Sequence, residues 1–491
     1  MIGMDSVPLW ILKELRWEKG MELFNRMLEE GILMDMESTL PPMTGPAWPS
    51  IYTGLKPSEH GVPDFFVMKK DYAPDIVYYN SVEVPPFWRQ IAESGNRCLV
   101  ITPATDIRLP QYGNIDALTG FPLPARTNST ELGRLMKKYR FKGEPDIEAD
   151  IKAGKMSLEA AVGIFVKSIK TRIAIAEDMM SMHDYSFVYV CFTETDRLQH
   201  FAMGNRKRNS YVLPIYREIG KFVNRIARRA ETEGALMVLV SDHGMQPIKS
   251  KFLINSWMVN SGFERLKSSF LKSMDNKGKG SISYGVREKL LKTKLRRVYD
   301  KMPYKVKTAA FKALGSAISG PSAGEYARMH LFDLDMRKTT AFAAIANEPV
   351  STIWVNDSRF SSPAVSAKEK PKVIARLVGD LRKLKTPDGH KLIASIIDGP
   401  SYYGKTDKFI VPDLFVEVAK GYTIDLFNYS TESDFMEPEG AKSGDHLRHG
   451  IFGFYPSHAI SRPAKMHVQD VKPLILKYLK TGYKNSRRRL K

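Results

Sequence analysis

Four short stretches of the chain set Asp or His against an apolar run. IGMDS carries Asp5, VYVCFTETDRLQH carries Asp196 and His200, and MVLVSDHGM carries Asp242 and His243. SGDHLRHGIFGF carries His446, with His449 three residues on, and here the apolar run follows the histidines. Carboxylates and neutral imidazoles suit Zn2+, and equally Mn2+. Asp196 and His200 are spaced i, i+4, which puts both on one face of a helical turn. Asp242 and His243 are adjacent, so their side chains are expected to diverge and to serve different sides of a site, or two metals. One such pair alone reads as a turn Asp beside a satisfied His. Four clusters in one chain read as a metal centre.

A fifth stretch, PPMTGPAWPSIYTGLKPSEHGV from Pro41 to Val62, is too broken by Pro and Gly for a long helix. It crowds Thr44 between Met43 and Gly45, close to Trp48. A threonine hydroxyl is a poor nucleophile near neutral pH and needs a metal or a base to activate it. Gly45 allows close backbone approach, and Pro46 suits a first helical turn. A helix starting near Ala47 would aim its N–H groups at a phosphate. The expectation is a nucleophilic Thr44 at a helix N-terminus, its hydroxyl activated by a metal or a base.

These residues need a scaffold that brings distant segments to one edge. RCLVIT (Arg97 to Thr102), SFVYVCF (Ser186 to Phe192) and ALMVLVS (Ala235 to Ser241) read as buried parallel strands, and ESTLPPMT as a shorter one. Helical patterns run from Val7 to Glu30, Pro86 to Ser94, Ser157 to Met182 with Ser157 as cap, and Leu213 to Glu233 with Pro214 in the first turn. Strand and helix in alternation predict an α/β fold, a doubly wound, mostly parallel sheet covered on both faces. In such sheets the carboxyl ends of the strands line the ligand crevice. Asp5 leaves room for only a very short first strand, so that strand is expected to be truncated or to begin upstream. Later, TTAFAAIANEPVSTIWVN resumes strand patterning, SRFSSPAVSAKEKPKV leads into a helix, and DKFIVPDLFVEV reads as a strand pair.

Composition bounds the rest. The 491 residues carry a net charge of +20, but it is local. Glu264 to Lys312 holds 15 Lys/Arg against 4 Asp/Glu, and Leu476 to Lys491 holds 7 Lys/Arg and no acid. The remainder is almost neutral. The expected organisation is a core, first part, over 1–262; a basic helical insertion or cap over 263–335; the second part of the core over 336–475; and a basic tail over 476–491. Such charge suits contact with nucleic acid or an anionic lipid surface, and it equally describes a solvated helix face. Cys98 and Cys191 lie in apolar runs and read as buried thiols rather than a disulfide framework. With no basic n-region followed by an apolar h-region, and no apolar run of about 20 residues, a soluble cytoplasmic protein is expected.

Together these motifs resemble the type I phosphodiesterase/nucleotide pyrophosphatase branch of the alkaline phosphatase superfamily. The matching text is IGMDS, PPMTGPAWPSIYTGLKPSEHGVPDFF, TGFPLPA, FTETDRLQH, SDHGM, LINSWM, VPDLFVEV and GDHLRHGIFGF, covering about Met1 to Met258 and Thr340 to Ile475. The resemblance implies an alkaline phosphatase-like core with two divalent metal ions, Zn2+ first and Mn2+ second. It implies Asp5, Thr44, Asp242 and His243 as ligands of one ion, Asp196, His200 and His446 as ligands of the other, and Thr44 as the nucleophile. It implies a hydrolase of phosphodiester or pyrophosphate bonds in a phosphate-ester small molecule. A phosphomonoesterase, phosphonate hydrolase or phosphomutase on the same core is the alternative, and an anionic-ligand binding protein the non-enzymatic one. The segment T-G-P-A-W, in place of C/S-x-P-x-R, argues against a sulfatase. Where the nucleotide pyrophosphatases carry a phosphate-binding Asn, this chain has Phe65 beside Asp64, and Ser6 replaces the usual Gly after Asp5. Asp64, Phe65 and His449 are the candidates for substrate contacts. His449 matches no fixed family position, and His60 reads first as part of a turn.

Overall fold

The three apolar runs form the strands expected of them, because a strand buried on both faces needs apolar side chains at every position. The computed structural model describes residues 1–77, 84–105, 107–109, 113–204, 209–268, 331, 333–347, 349–426, 428, 430, 433–438 and 442–489. Most of the expected basic insertion, residues 269–330, lies outside the described residues. The chain divides into two compact units: Met1–Phe65, Tyr78–Ile248 and Pro438–Lys491 form the first, and Phe66–Val77 with Lys249–Glu437 form the second.

The first unit is built on β1 (Ile2–Met4), β2 (Leu33–Glu37), β3 (Cys98–Ile101), β4 (Ile115–Thr119), β5 (Arg126–Thr127), β6 (Phe187–Phe192), β7 (Met237–Val240) and β10 (His449–Tyr455). They join one sheet in the order β2-β10-β7-β1-β6-β3-β4-β5. The five strands β7, β1, β6, β3 and β4 are mutually parallel, while β10 runs antiparallel to both of its neighbours and β5 to β4. A separate antiparallel ribbon pairs β8 (Gly244–Pro247) with β9 (Gly444–Leu447). This is the mostly parallel α/β architecture expected. β1 is short, as expected, yet central: Met4 pairs with Phe192, and Gly3 with both Cys191 and Val240. That register ends β1, β6 and β7 at the same edge.

Among the helices are α1 (Thr44–Thr53), α2 (Leu158–Met182), α3 (Glu194–Gln199) and α4 (Leu213–Glu233). Ser157 caps α2 by accepting from the Ala160 N–H. Three expectations need correction. The pattern from Val7 to Glu30 is two helices, Leu9–Leu15 and Glu22–Glu29; between them Gly20 takes φ +95°, which a helix cannot continue through. The strand expected in ESTLPPMT lies just upstream, at Leu33–Glu37. Thr44 rather than Ala47 opens α1.

The second unit has its own apolar core around a four-stranded antiparallel sheet, in the order Ala341–Asn347, Val350–Val355, Leu414–Val418, Ile393–Asp398. The stretch DKFIVPDLFVEV therefore supplies one strand and not two. Helix Lys370–Lys383 buries Leu377 and Leu381 against this core. Cys98 and Cys191 are free and buried. Among the described residues no helix is long and apolar enough to cross a membrane.

Candidate metal centre

The shared strand edge gathers the candidate ligands within the first unit. Asp5 follows β1 directly, its N–H donating to the Phe192 carbonyl at 2.9 Å. Asp242 and His243 follow β7 by one and two residues beyond Ser241. Asp196 lies on α3 just after β6, and His200 caps that helix, its N–H donating to the Asp196 carbonyl at 3.1 Å. His446 arrives on β9, where it pairs with Met245. Thr44 begins α1, so its N–H and that of Gly45 have no partner within the helix.

The side chains converge. Asp5, Asp242 and His243 offer ligand atoms within 4.8 Å of one another, and so do Asp196, His243 and His446. His200 Nε2 is 3.4 Å from Asp196 Oδ1, and His446 Nε2 is 3.2 Å from the same oxygen. Thr44 Oγ1 lies 3.3 Å from Asp5 Oδ1 and 3.5 Å from His243 Nε2. One expectation is overturned here. Asp242 Oδ2 approaches His243 Nε2 to 3.2 Å, so these adjacent side chains converge instead of diverging. Adjacent side chains diverge in an extended strand, but residues 242 and 243 sit in a bend past the end of β7. His243 belongs to both donor groups, which makes it the link between them.

The proton positions test whether a cation fits. His243 Nδ1 faces the Gly244 carbonyl at 3.2 Å, and His200 Nδ1 faces the Gly444 carbonyl at 3.1 Å. A carbonyl only accepts, so each Nδ1 is assigned the proton and each Nε2 of the neutral ring keeps a lone pair. Burial, with His446 nearby, lowers the His243 pKa to about 3, so its ring is neutral. Its Nε2 lone pair therefore points at the oxygens of Asp5 and Asp242. Asp196 Oδ1 and Asp242 Oδ2 are buried without a hydrogen-bond donor among the described residues. Burial pushes the Asp242 carboxyl up to about 7, and pushes Asp5 well above the usual carboxylate range, with the charges of Asp242 and Asp196 adding to it. Burial raises Asp196 too, but the facing His200 and His446 rings, where they carry positive charge, hold it well below its usual value, the role a cation would take. Acceptors facing acceptors, in a buried site rich in carboxylate, fit divalent cations.

The surroundings hold this set in place. Trp48 Nε1 donates to Asp5 Oδ2 at 3.3 Å, and the Ser6 N–H to Asp242 Oδ1 at 3.3 Å. Ser241 Oγ accepts from the Val7 N–H at 2.7 Å and donates to the His243 carbonyl at 2.8 Å. Sequence reading missed Trp48 and Ser241 in these roles; each stands within a few residues of a candidate, which is the only signal available. Phe65 packs on Gly45, where an added Cβ would come within 3.3 Å of its ring, so glycine makes room for the aromatic wall beside Thr44. Asp64 is buried. His60 accepts from the Val62 N–H through Nδ1 and meets Ser50 Oγ at 2.9 Å through Nε2. His449 is exposed at the start of β10 and belongs to neither donor group.

The sequence profile of the type I phosphodiesterase/nucleotide pyrophosphatase family matches residues 1–450. No curated protein is significantly similar in sequence. Among solved structures, phosphonoacetate hydrolase from Sinorhizobium meliloti 1021 in complex with phosphonoacetate matches with a TM-score of 0.50 at 14% identity, over 97% of this chain and 94% of that one. The same enzyme with phosphonoformate gives 0.51 at 14% identity, over 97% and 95%. Murine ectonucleotide pyrophosphatase/phosphodiesterase 5 gives 0.48 at 12% identity, over 98% and 94%. At such identities the likeness to the hydrolase is one of fold.

Proposed function

The chain belongs to the type I phosphodiesterase/nucleotide pyrophosphatase family of the alkaline phosphatase superfamily, and from that premise we propose that it hydrolyses phosphodiester or pyrophosphate bonds through Thr44. The observation that carries this reading is the position of Thr44 Oγ1, at a helix N-terminus and within 3.5 Å of both Asp5 and His243. Asp5, Thr44, Asp242 and His243 would hold one divalent ion, and Asp196, His200 and His446 the other, with His243 shared at the boundary. Such ions, Zn2+ first and Mn2+ second, would lower the hydroxyl's pKa and draw charge from the phosphoryl oxygens.

The chain's own groups do the rest. The hydrogen bond from Thr44 to Asp5 fixes the hydroxyl, and the N–H groups of Thr44 and Gly45 face the incoming anion. Thr44 Oγ1 forms a bond to phosphorus as the ester bond to the leaving group breaks, and the hydroxyl proton leaves toward Asp5. Asp5 passes that proton to the departing oxygen; water then attacks phosphorus, the P–Oγ1 bond breaks, Thr44 Oγ1 takes one proton of the water and the phosphate product keeps the other. The test is a panel of bis-aryl phosphate, mono-aryl phosphate and phosphonate substrates, run with metal analysis on the purified chain and on Thr44→Ala. The variant should lose turnover and keep its metal. Near-normal turnover in Thr44→Ala would remove the nucleophile assignment.

One observation favours a phosphonate hydrolase as the second reading. Phe65 sets an apolar wall against Gly45 where the nucleotide pyrophosphatases carry an amide. With an aromatic ring there, the amide donor that marks the nucleotide pyrophosphatases is missing, and the assignment to a nucleotide diester loses that support. The phosphonate arm of the same panel decides between the two.

A further inference from the structure

α3 presents Asp196 and His200 to the metal centre, and its other faces are occupied by buried polar bonds. On one side Thr195 Oγ1 donates to the Asp5 carbonyl at 2.5 Å, and Gln199 Nε2 to the Ser6 carbonyl at 2.8 Å. Tyr216 on α4 holds Gln199 in turn, donating to its Oε1 at 3.0 Å. These bonds tie α3 to the turn that carries Asp5.

On the other side lies an ion cluster that the chemistry above does not use. Arg172, from the middle of α2, is 0% exposed. Its Nη2 donates to Glu194, the first residue of α3. Its Nη1 donates to Glu144 at 2.5 Å, to the Cys191 carbonyl at 2.9 Å and to Thr102 Oγ1 at 3.2 Å. One guanidinium thus joins the end of β3, the end of β6 and the start of α3. Glu144 extends the cluster by accepting from Thr193, and Arg197 closes it by donating to Glu148 and to the Pro145 carbonyl. Glu194 and Arg197 flank Asp196 in sequence, so a shift of either carries the carboxylate with it. A planar fork of fixed geometry is suited to such a joint, because a single ammonium cannot serve several acceptors at fixed angles.

We propose that Arg172 and Glu194 are positioning residues for one half of the metal pair: they fix α3 so that Asp196 and His200 meet His446, and act little on Asp5 and Asp242. The inference rests on the metal-pair reading above. The Asp5 and Asp242 carboxylates are held by different groups, Trp48 and the Ser6 N–H, and α3 meets the turn that carries Asp5 through Thr195 and Gln199 rather than through Glu194, so the Arg172–Glu194 bond supports the Asp196 half alone.

The test is a Zn2+ titration by calorimetry on the full chain after chelation, comparing the native sequence with Glu194→Gln, His200→Ala and the double variant. Urea unfolding checks that each is folded. The native chain should bind two equivalents. Glu194→Gln should weaken one of them by about 10- to 100-fold, the usual cost of disturbing a group that orients a ligand, and leave the other unchanged. Because both changes act on one ion, the double variant should be little worse than His200→Ala alone. A merely structural role would lower the urea midpoint without moving the ratio of the two affinities. Equal weakening of both equivalents, no weakening, or full additivity with His200→Ala would overturn the proposal. If Glu194→Gln does not fold, Arg172→Lys, which keeps the charge and loses the fork, is read by the same criteria; unfolding of both overturns the claim that the cluster serves one ion. Fewer than two equivalents on the native chain would instead overturn the metal-pair reading, and this inference with it.

Discussion

Replacing Asp242 by Asn separates what the fold needs from what the metal needs. In the metal-free chain the Asp242 carboxyl is fully buried, and burial raises its pKa from the ordinary 3.8 to about 7. Below about pH 4 the group is protonated both folded and unfolded and carries no penalty. As pH rises toward 7, the unfolded chain releases this proton and the folded chain retains it. The unfolded state then binds fewer protons, so stability falls with rising pH and the loss is complete above about 7. The gap corresponds to roughly 4 kcal/mol, an upper value because Asp5 shares the same buried charge. Asn removes this cost. Its Oδ1 can still accept from the Ser6 N–H, now 3.3 Å from Asp242 Oδ1, and its Nδ2–H can donate to His243 Nε2, now 3.2 Å from Asp242 Oδ2. Chelated Asp242→Asn should therefore be more stable than the native chain by about 2–4 kcal/mol at pH 8, with the difference vanishing near pH 4. With saturating metal the order should reverse, since the native chain gains binding free energy and the variant does not. Urea denaturation from pH 4 to 8, with and without chelator, measures both. A chelated variant less stable than the native chain, or a difference independent of pH, would refute the reasoning.

Three further outcomes follow from the geometry. His243→Ala should weaken both bound ions, because His243 stands in both donor groups, whereas His200→Ala should weaken one; metal stoichiometry after dialysis distinguishes them. Gly3→Ala should cost about 1–3 kcal/mol by overpacking, since its Cβ would lie 2.7 Å from the Trp48 ring and 2.8 Å from the Tyr189 hydroxyl; urea midpoints measure it, and an unchanged midpoint would mean the sheet yields at that point. Phe65→Asn should raise kcat/KM by supplying an amide donor beside Thr44, and unchanged kinetics on every substrate of the panel would remove Phe65 from substrate binding.

The parts of the site that could be read from the chain are those where a sharp change of character marks a strand end. VYVCF and MVLV are apolar because both faces of β6 and β7 are buried, so the polar residues just beyond each run had to emerge at the sheet edge. Asp5, Asp196 and Asp242 were legible for that reason, and His200 through its helical spacing. His446 was legible as a residue but its strand was not, because β9 belongs to a two-stranded ribbon with no apolar run before it. β2 was misplaced because LMDME interrupts its apolar residues with Asp35, exposed to solvent on one face. Gly20 was invisible as a break because the apolar pattern continues on both sides of it. The contact of Arg172 with Glu194, 22 residues apart and across two elements, leaves no periodic trace at all. Buried ion pairs between elements are properties of packing, and sequence spacing does not encode them.

The geometry also weighs against a metal-free dyad of Thr44 and His243. His243 Nε2 stands 3.5 Å from Thr44 Oγ1, with Nδ1 tied to a carbonyl, and that much resembles a nucleophile beside its base. A general base works best with a pKa near the working pH. His243, held to about 3 by burial and His446, would take a proton from a threonine only at great cost. Its Nδ1 faces a neutral carbonyl and not a carboxylate, so the orienting acid that stands behind the base in such a site is missing. The same burial that spoils His243 as a base keeps its lone pair available as a ligand across the whole neutral range. Thr44 has its shorter contact with Asp5, itself deeply buried and next to a second carboxylate. A site built for proton transfer would not crowd three carboxylates around a neutral imidazole, because each adds a desolvation cost that only a cation offsets. The fold bears that cost at the carboxyl edge of its central strands, beside Thr44.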